Sequence, residues 1–468
     1  MLLLLRHTFT RRILATLVFE LVLLNVCFFF LVFFRELSWS QSLEHPVLTG
    51  LLALSSTLVV QFSLWSFGLY SRGMIYAGRR ALRSLGGALV FSAVLLLPLY
   101  YLFSLTGFAV FGLTLKFYLI GLGAFMTLLT IERLLVLKLF DDSSYLGQVL
   151  ILGSGPATCK VAHEARRHHG KTFSIAGVLS EDPEEVGHEV GGCKVLGTID
   201  RIAEIVQAER IRAILISTPI YSPTLPVDFL LKCKLNGIRV MDSSDFYESL
   251  GKKVLLEKLD PVQFLLSENT LMTRFRWGLK TISEKLIALV LLVFAAPVML
   301  ATALLIKLTS PGPVLFHQER VGRDGKRINV IKFRSMVVDA ERNGAVWATK
   351  NDPRTTTIGS FIRKVRIDEL PQLFNVLRGD MAIVGPRPER PSFVDDLGEI
   401  IPFYHHRHLV SPGITGWAQV VYPYGASIED ASEKLRYDLY YIKNMSFTFD
   451  IMIILNTVKT VLFAHGGR

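Results

Sequence analysis

The chain has 468 residues, 51% of them hydrophobic, with a mean hydropathy of +0.41 and a net charge of +11. This composition is too apolar for an ordinary soluble enzyme, so part of the chain is expected to meet lipid, and the length allows two or three domains. The charge favours anionic partners such as lipid head groups and phosphorylated substrates, whereas the scattered basic residues form no nucleic-acid-binding module, so no nucleic acid partner is expected.

Long apolar stretches come first, at about 13–34, 48–70, 85–107 and 110–131. Each is close to the roughly 20 residues needed to cross a bilayer, so residues 1–140 are predicted to form four transmembrane helices. A cleaved signal peptide is the alternative for the first stretch, but its apolar run is longer than a signal core. Arginines precede the first stretch and separate the second from the third, which predicts that both termini face the cytoplasm.

The pattern then changes to an alternation of apolar runs and helical segments. It begins with VLILGSG and predicts a parallel, Rossmann-like α/β domain over residues 146–250. Gly153 and Gly155 match the first two glycines of a dinucleotide fingerprint, but Thr158 stands where glycine or alanine is usual. The glycines of this turn therefore have two possible explanations. Either the backbone geometry alone requires them, or the turn binds a nucleotide or a phosphate.

A fifth apolar stretch, at about 284–307, follows a predicted linker or docking segment over residues 251–279. Pro297 lies near its centre, where a proline removes a backbone hydrogen bond and kinks a helix. The stretch either crosses the membrane or bends and returns as a re-entrant helix. Abundant basic residues after it favour the return, which keeps residues 280–468 in the cytoplasm.

Residues 310–336 contain two segments in which apolar and polar residues alternate, one on each side of Arg323, Asp324 and Gly325. This pattern predicts a hairpin that carries basic side chains beside the membrane surface. Attraction to anionic lipid would explain about half of these charges. The others require a different anion.

An acidic pair, Asp368 and Glu369, opens the amphipathic segment IDELPQLFNVLRGD. The helical spacing of its apolar residues places the pair where a helix begins, with Pro371 in the first turn. A helix cap is the ordinary explanation for two such carboxylates. The basic residues around the pair favour a reaction centre instead. These residues are Arg363, Lys364, Arg366, Arg378 and Arg387.

Residues from about 280 to 463 resemble the bacterial sugar transferase family, the monotopic phosphoglycosyl transferases. The resemblance rests on the proline-containing helix and on SPGPVLFHQERVG, KFRSM, IDELPQLFNVLRGD, VGPRP, PGITGWAQV and YDLYYIKN, in that order. With four membrane helices and an α/β domain, the chain resembles the large form of the family, the exopolysaccharide-type polyprenyl glycosylphosphotransferases. The resemblance implies a small α+β catalytic domain with a re-entrant helix, on the cytoplasmic face of the bacterial inner membrane, and a homodimer.

The resemblance also implies a reaction. A sugar 1-phosphate moves from a UDP-sugar to polyprenyl (undecaprenyl) phosphate with release of UMP, to begin exopolysaccharide or another surface glycan. A carboxylate is a suitable covalent nucleophile because an acyl phosphate divides one transfer into two steps. The family pattern assigns this role to Asp368, and we assign Glu369 to Mg²⁺, a hard cation that prefers carboxylate and phosphate oxygens.

Other positions correspond to further functional residues of the family. Those expected to bind phosphate are Lys332, Arg334, Arg363 and Arg387. Asp438 and Asp450 correspond to acidic positions that we expect to bind metal, although an N-cap of the last helix is an alternative for Asp450.

Two departures from the family pattern concern the bend and the specificity. Ala296 replaces a serine that is frequent before the central proline, so Pro297 must produce the bend alone. VYPYG follows WAQV where relatives often have NGR, so the specificity for the sugar cannot be transferred from the family.

Two other functions are possible for a chain with this organisation. A membrane-anchored, NAD-dependent nucleotide-sugar dehydratase or epimerase would need a Tyr-x-x-x-Lys pair, which the sequence does not contain. A non-catalytic membrane scaffold would not explain paired carboxylates among so many cations.

Overall fold

A computed structural model describes residues 46–67, 69, 85–88, 91–92, 95–96, 128, 131, 147–167, 173–219, 222–260, 274–338, 340, 353–422, 425 and 427–462. The chain divides into two compact units, one of residues 1–146 with 170–172 and one of the remaining residues. In the first unit, helix α1 spans Pro46–Ser66 and coincides with the second apolar stretch. The other three predicted membrane helices lie wholly or mostly outside the described residues.

The second unit begins with a six-stranded sheet flanked by helices. The strands are β1 (Gly147–Leu152), β2 (Phe173–Ser180), β3 (Glu189–Val190), β4 (Cys193–Thr198), β5 (Ile211–Ile216) and β6 (Arg239–Asp242), and the helices are α2 (Pro156–Arg167), α3 (Ile202–Ala208), α4 (Val227–Leu235) and α5 (Ser243–Gly251). Their order is β3-β4-β2-β1-β5-β6, and all pairs are parallel except β3 with β4. Because helices cover both faces, β1 is buried throughout its apolar run, as expected for a Rossmann-like domain.

The glycine turn after β1 has a geometric explanation. Gly153 has a φ of +101°, and a Cβ there would lie 2.7 Å from Cγ2 of Thr218, which follows β5. Thr158 is fully buried, and its hydroxyl donates to the Gly153 carbonyl oxygen at 2.6 Å and to Ser217 Oγ at 2.8 Å. Close packing of β1 against the end of β5 therefore requires glycine at position 153, whether or not a ligand binds at this turn.

The remaining elements of this unit form two short sheets surrounded by helices. They are α6 (Arg274–Thr309), β7 (Leu315–Val321), β8 (Arg327–Phe333), α7 (Thr357–Lys364), α8 (Gln372–Arg378), β9 (Ala382–Val384), α9 (Pro391–Ile400), β10 (Gly413–Thr415), α10 (Trp417–Val421), α11 (Ile428–Lys443) and α12 (Phe447–Leu462). The predicted hairpin is confirmed, because β7 and β8 pair antiparallel around a turn at Arg323–Gly325. Asp324 and Gly325 take positive φ angles in that turn.

Helix α6 is the single helix in the described part of the chain that is long and apolar enough to cross a membrane. Its 36 residues continue through Pro297 and span roughly 54 Å at 1.5 Å per residue. Ala288, in its first half, packs in the main core of the C-terminal region. Ile306, near its end, packs against Phe333 and Ile362 of the same region. Large apolar side chains between these contacts are exposed, including Leu289, Val290, Val293, Phe294, Leu300 and Leu304.

Residues 251–260 dock the α/β region onto helix α11. Lys253 is buried and forms ion pairs with Glu164 of α2, at 2.7 Å, and with Glu433 of α11. Arg436 of α11 pairs with Glu257 at 2.6 Å. The first part of the predicted linker is therefore a docking segment, and residues 261–273 lie outside the described residues.

Candidate active site

The acidic pair lies in a tight turn between two helices. Residues 367–369 form one 3₁₀ turn, and Arg366 precedes it with a left-handed φ of +61°. Helix α8 begins at Gln372, and Pro371 stands directly before it, where the missing N–H of proline costs no helical hydrogen bond. The pair therefore precedes the helix by two residues, and neither carboxylate caps it. This placement removes the helix-cap explanation.

Asp368 is a buried carboxyl group with an unused oxygen. The residue is 9% exposed, and Oδ1 has no hydrogen-bond partner among the described residues. Burial raises its pKa to about 6, and the charge of Glu369 acts in the same direction against Lys332, Arg363 and Arg387. An unpaired, weakly solvated carboxylate of this kind has the reactivity expected of a nucleophile.

Glu369 has the opposite electrostatic character. Burial disfavours its charge, but Arg387, Lys332 and Arg366 together outweigh burial and lower its pKa to about 2. Arg387 Nη2 donates to Glu369 Oε1 at 2.8 Å, and Arg366 Nη1 lies 3.7 Å from the same oxygen. Two adjacent carboxyl groups with separated pKa values indicate two different roles.

The predicted phosphate-binding residues divide into two groups. Burial lowers the pKa of Lys332, on β8, to about 8, although the charge of Glu369 opposes this shift. The charges of Lys332, Arg363 and Arg387 all act on the acidic pair, so the structure brings these three cations to one site. Arg334 is placed differently, since its guanidinium donates to the carbonyl oxygens of Ser310 and Pro311 after α6 at 2.8 and 2.7 Å. A phosphate contact by Arg334 stays a prediction.

Asp438 forms a buried ion pair that sequence analysis did not foresee. Its Oδ2 accepts from Arg407 Nη2 at 2.8 Å, and both residues are at most 5% exposed. The same Nη2 donates to the backbone oxygen of Arg387 at 3.2 Å, and Nη1 donates to the Tyr404 hydroxyl at 2.6 Å. Asp438 thus supports the backbone of the arginine that holds Glu369, and metal binding by Asp438 stays a prediction.

Asp450 belongs to another polar cluster at the start of α6. Its carboxylate accepts from Lys280 Nζ at 2.6 Å and from the Tyr441 hydroxyl at 2.7 Å. The N-cap alternative is wrong, because Ser446 Oγ accepts from the Phe449 N–H and so provides that contact. Lys280 was missed, although its spacing of four residues from Glu284 in an apolar helix was a usable signal, and the two residues pair at 2.8 Å. The metal role predicted for Asp450 is untested.

A magnesium site at the acidic pair fits the donor set. Among the described residues no group of three or more His, Cys, Asp or Glu side chains could hold a metal ion, so an all-protein cage is not available there. Mg²⁺ usually takes one or two carboxylates together with water and substrate phosphates. The ionised Glu369 provides such a carboxylate, and the unpartnered Oδ1 of Asp368 stays free for another role.

A carboxylate pair with separated pKa values, surrounded by cations beside a long exposed apolar helix, is a site suited to phosphoryl transfer at a membrane. Residues 275–464 match the family described as bacterial sugar transferase, and residues 66–232 match a CoA-binding domain. The chain belongs to the bacterial sugar transferase family.

Three similar proteins illustrate this relationship. The chain is 45% identical to a UDP-N-acetylgalactosamine-undecaprenyl-phosphate N-acetylgalactosaminephosphotransferase of Aeromonas hydrophila, over 51% of this chain and 56% of that protein. It is 33% identical to a UDP-glucose:undecaprenyl-phosphate glucose-1-phosphate transferase of Xanthomonas campestris pv. campestris, over 67% and 66%. It is 45% identical to the exopolysaccharide production protein PSS of Rhizobium leguminosarum bv. phaseoli, over 38% and 91%. The chain thus spans between half and two thirds of the first two relatives.

Proposed function

We propose that this protein transfers a sugar 1-phosphate from a UDP-sugar to undecaprenyl phosphate and releases UMP. The observation that carries the proposal is the buried Asp368, with its unpartnered oxygen, beside Glu369 and three cations. The names of the similar proteins, which act on UDP-sugars and undecaprenyl phosphate, support the same reaction. They do not agree on the sugar, so its identity is left to experiment.

The reaction proceeds by two displacements at one phosphorus. Asp368 Oδ1 attacks the phosphorus that carries the sugar, and the bond from this phosphorus to the UMP oxygen breaks, so that UMP leaves with the electron pair. A phosphate oxygen of undecaprenyl phosphate then attacks the sugar-phosphoryl group on Asp368. This second step forms the diphosphate-linked sugar and regenerates the carboxylate.

The surrounding residues supply charge rather than covalent chemistry. Lys332, Arg363 and Arg387 neutralise the phosphates in both steps and hold them in line with Asp368. Glu369 would hold Mg²⁺, and the bound ion would further neutralise the charge on the leaving group, which leaves Asp368 Oδ1 free to attack. Glu369 is suited to this task because the neighbouring cations keep it ionised.

The proposed topology keeps the site on the cytoplasmic face of the inner membrane. Both halves of α6 pack on the same C-terminal region, while the apolar side chains between them are exposed. A re-entrant α6 that bends near Pro297 satisfies both facts, because a straight crossing would carry its two ends to opposite faces of the bilayer. A cytoplasmic site is also where a nucleotide sugar is available.

A donor screen tests the reaction. Full-length protein in detergent with undecaprenyl phosphate and Mg²⁺ is supplied with UDP-glucose, UDP-galactose, UDP-N-acetylglucosamine or UDP-N-acetylgalactosamine, and UMP is measured. We expect UMP release and a diphosphate-linked lipid with at least one donor. Release of UDP in place of UMP, or no lipid product from any donor, would contradict the proposal.

The pH dependence of the reaction should report Asp368. The nucleophile must be ionised and its pKa is about 6, so kcat/KM is expected to fall tenfold per pH unit below pH 6. Arg363→Gln removes a charge that lowers the pKa of Asp368 and should move the midpoint to higher pH. Arg378→Gln, at the exposed end of α8, is the matched control and should leave the midpoint unchanged. An acidic midpoint that Arg363→Gln does not move would assign the titration to another group.

A further inference from the structure

A cavity of about 140 Å³ lies at the start of α6, away from the acidic pair. Trp277 and Lys280 line one side, and Gly379, directly after α8, lines another. The acidic pair precedes α8, whereas Val376 and Gly379, in the second half of this helix and directly after it, line the cavity. None of the residues that surround Asp368 is among those lining the cavity. The cavity is therefore a separate place on the molecule.

Three residues that line the cavity, Lys280, Glu284 and Tyr441, belong to a polar network that includes Asp450. Lys280 Nζ donates to Glu284 at 2.8 Å and to Asp450 at 2.6 Å, and the Tyr441 hydroxyl donates to Asp450 at 2.7 Å. Both Glu284 and Asp450 are buried. This network contains one cation and two carboxylates, so its formal charge is one negative unit.

Two further cations make the net formal charge of the cavity positive. They are Lys285 and Arg323, which also line the cavity. The guanidinium of Arg323 lies 4.9 Å from the ring centre of Trp277, a cation–π contact between two residues that line the cavity. Its ion pair with the adjacent Asp324 is long, at 3.6 Å, and solvent-exposed, so it neutralises Arg323 weakly. A lysine and an arginine held in this way at a concave surface suit a phosphate group.

The position of the cavity along α6 specifies what carries that phosphate. On both sides of Lys285 the outer face of the helix is apolar, with Ile282, Leu286 and Leu289 at least half exposed. Trp277 lines the cavity, and tryptophan is characteristic of the boundary between a bilayer and water. A ligand at this boundary can place its phosphate between Lys285 and Arg323 and its acyl chains along the apolar face.

We propose that this cavity binds the phosphate group of an anionic membrane phospholipid. The bound lipid fixes the depth at which the start of α6 sits in the bilayer. The inference does not depend on the sugar-transfer reaction, because the acidic pair and the three cations around it do not line the cavity.

The test measures lipid binding without any sugar donor. Full-length protein in neutral detergent is titrated with dihexanoyl phosphatidylglycerol, and the concentration that gives half of the maximal thermal stabilisation is recorded. We expect Lys285→Gln with Arg323→Gln to raise this concentration at least tenfold. Lys307→Gln with Lys326→Gln removes the same charge at the other end of α6 and on the hairpin, and it should change the value less than twofold.

Three results would overturn the proposal. Equal losses in the two double variants would indicate general attraction of a basic surface to lipid. Stabilisation by inorganic phosphate at the same concentration would assign the site to a free anion. Equal stabilisation by dihexanoyl phosphatidylcholine, whose head group has no net charge, would show that the acyl chains alone bind. Because no UDP-sugar is present, these outcomes are distinguishable from failure of the proposed reaction.

Discussion

Replacement of Asp368 by asparagine should abolish UMP release while leaving the fold intact. Asparagine keeps the shape of the side chain but cannot form the acyl phosphate, so turnover is expected to fall by about four orders of magnitude or more. The loss should affect kcat and kcat/KM together, and wild-type protein quenched with donor alone should carry a sugar-phosphate mass that Asp368→Asn lacks. Retained turnover in this variant would remove Asp368 from the role of nucleophile.

Stability distinguishes a missing nucleophile from a damaged fold. Burial raises the pKa of Asp368 from 3.8 to about 6, so the stability that this carboxyl contributes is lost as the pH rises through that interval. At neutral pH its buried charge is therefore a cost, and Asp368→Asn should unfold at an equal or higher temperature than the wild type. Asp380→Asn, just beyond the other end of α8, is the matched control and should retain activity.

The features that were predicted correctly depend on residues that are close together in sequence. The β7–β8 hairpin follows from alternation around a three-residue turn, and the parallel sheet follows from apolar runs such as β1 that are buried on both faces. Asp368 and Glu369 were found because five basic residues stand close to them in sequence. Local pattern also placed the pair where a helix begins, and the structure has it in a 3₁₀ turn that leads into α8, with Pro371 directly before the first helical residue.

The partners that could not be predicted are distant in sequence. Arg407 reaches Asp438 across 31 positions, and Lys280 reaches Asp450 across 170. Nothing in either segment selects one partner among the 51 lysines and arginines of the chain, because pairing depends on how α6, α11 and α12 pack. An acidic motif residue was therefore recognisable, whereas its role as a metal ligand or as half of an ion pair was not.

The site depends on a connected series of contacts behind Glu369. Asp438 holds Arg407, Arg407 donates to the backbone oxygen of Arg387, and the side chain of Arg387 holds Glu369. Helix α11, which carries Asp438, is also fixed to the α/β region through Arg436 and Glu257. The three contacts measure 2.8, 3.2 and 2.8 Å, and the Asp438–Arg407 pair is buried, so a change at Asp438 should displace Glu369 without direct contact between them.

Asp438→Asn should weaken both stability and catalysis, and it should change the Mg²⁺ requirement no more than loss of Arg407 does. The substitution leaves Arg407 charged, 5% exposed and without its carboxylate, and removing one member of a buried pair costs about 3–5 kcal/mol. If Arg407 then shifts, Arg387 and Glu369 lose their positions, and a misplacement of about 1 Å can lower the rate roughly 100-fold. Denaturant unfolding and UMP release as functions of Mg²⁺ concentration measure the two effects.

Two further variants separate positioning from stability. Asp438→Leu combined with Arg407→Met replaces the ion pair by apolar side chains, which is often neutral or stabilising, but it removes the donor to the Arg387 carbonyl. This double variant should recover most of the stability and remain slow. Arg436→Met breaks the pair with Glu257 on the same helix, so it should lose stability yet keep the wild-type rate per folded molecule.

The Mg²⁺ titration decides between the two roles of Asp438. A metal ligand would raise the Mg²⁺ concentration needed for half-maximal activity by about tenfold or more beyond its value in Arg407→Met, which loses the ion pair but keeps the carboxylate. If Asp438 acts only through Arg407, Asp438→Asn and Arg407→Met should change that concentration equally. Because Arg407 already occupies Asp438 Oδ2 at 2.8 Å and also supports Arg387, the second result is expected, with Glu369 as the carboxylate available to the metal.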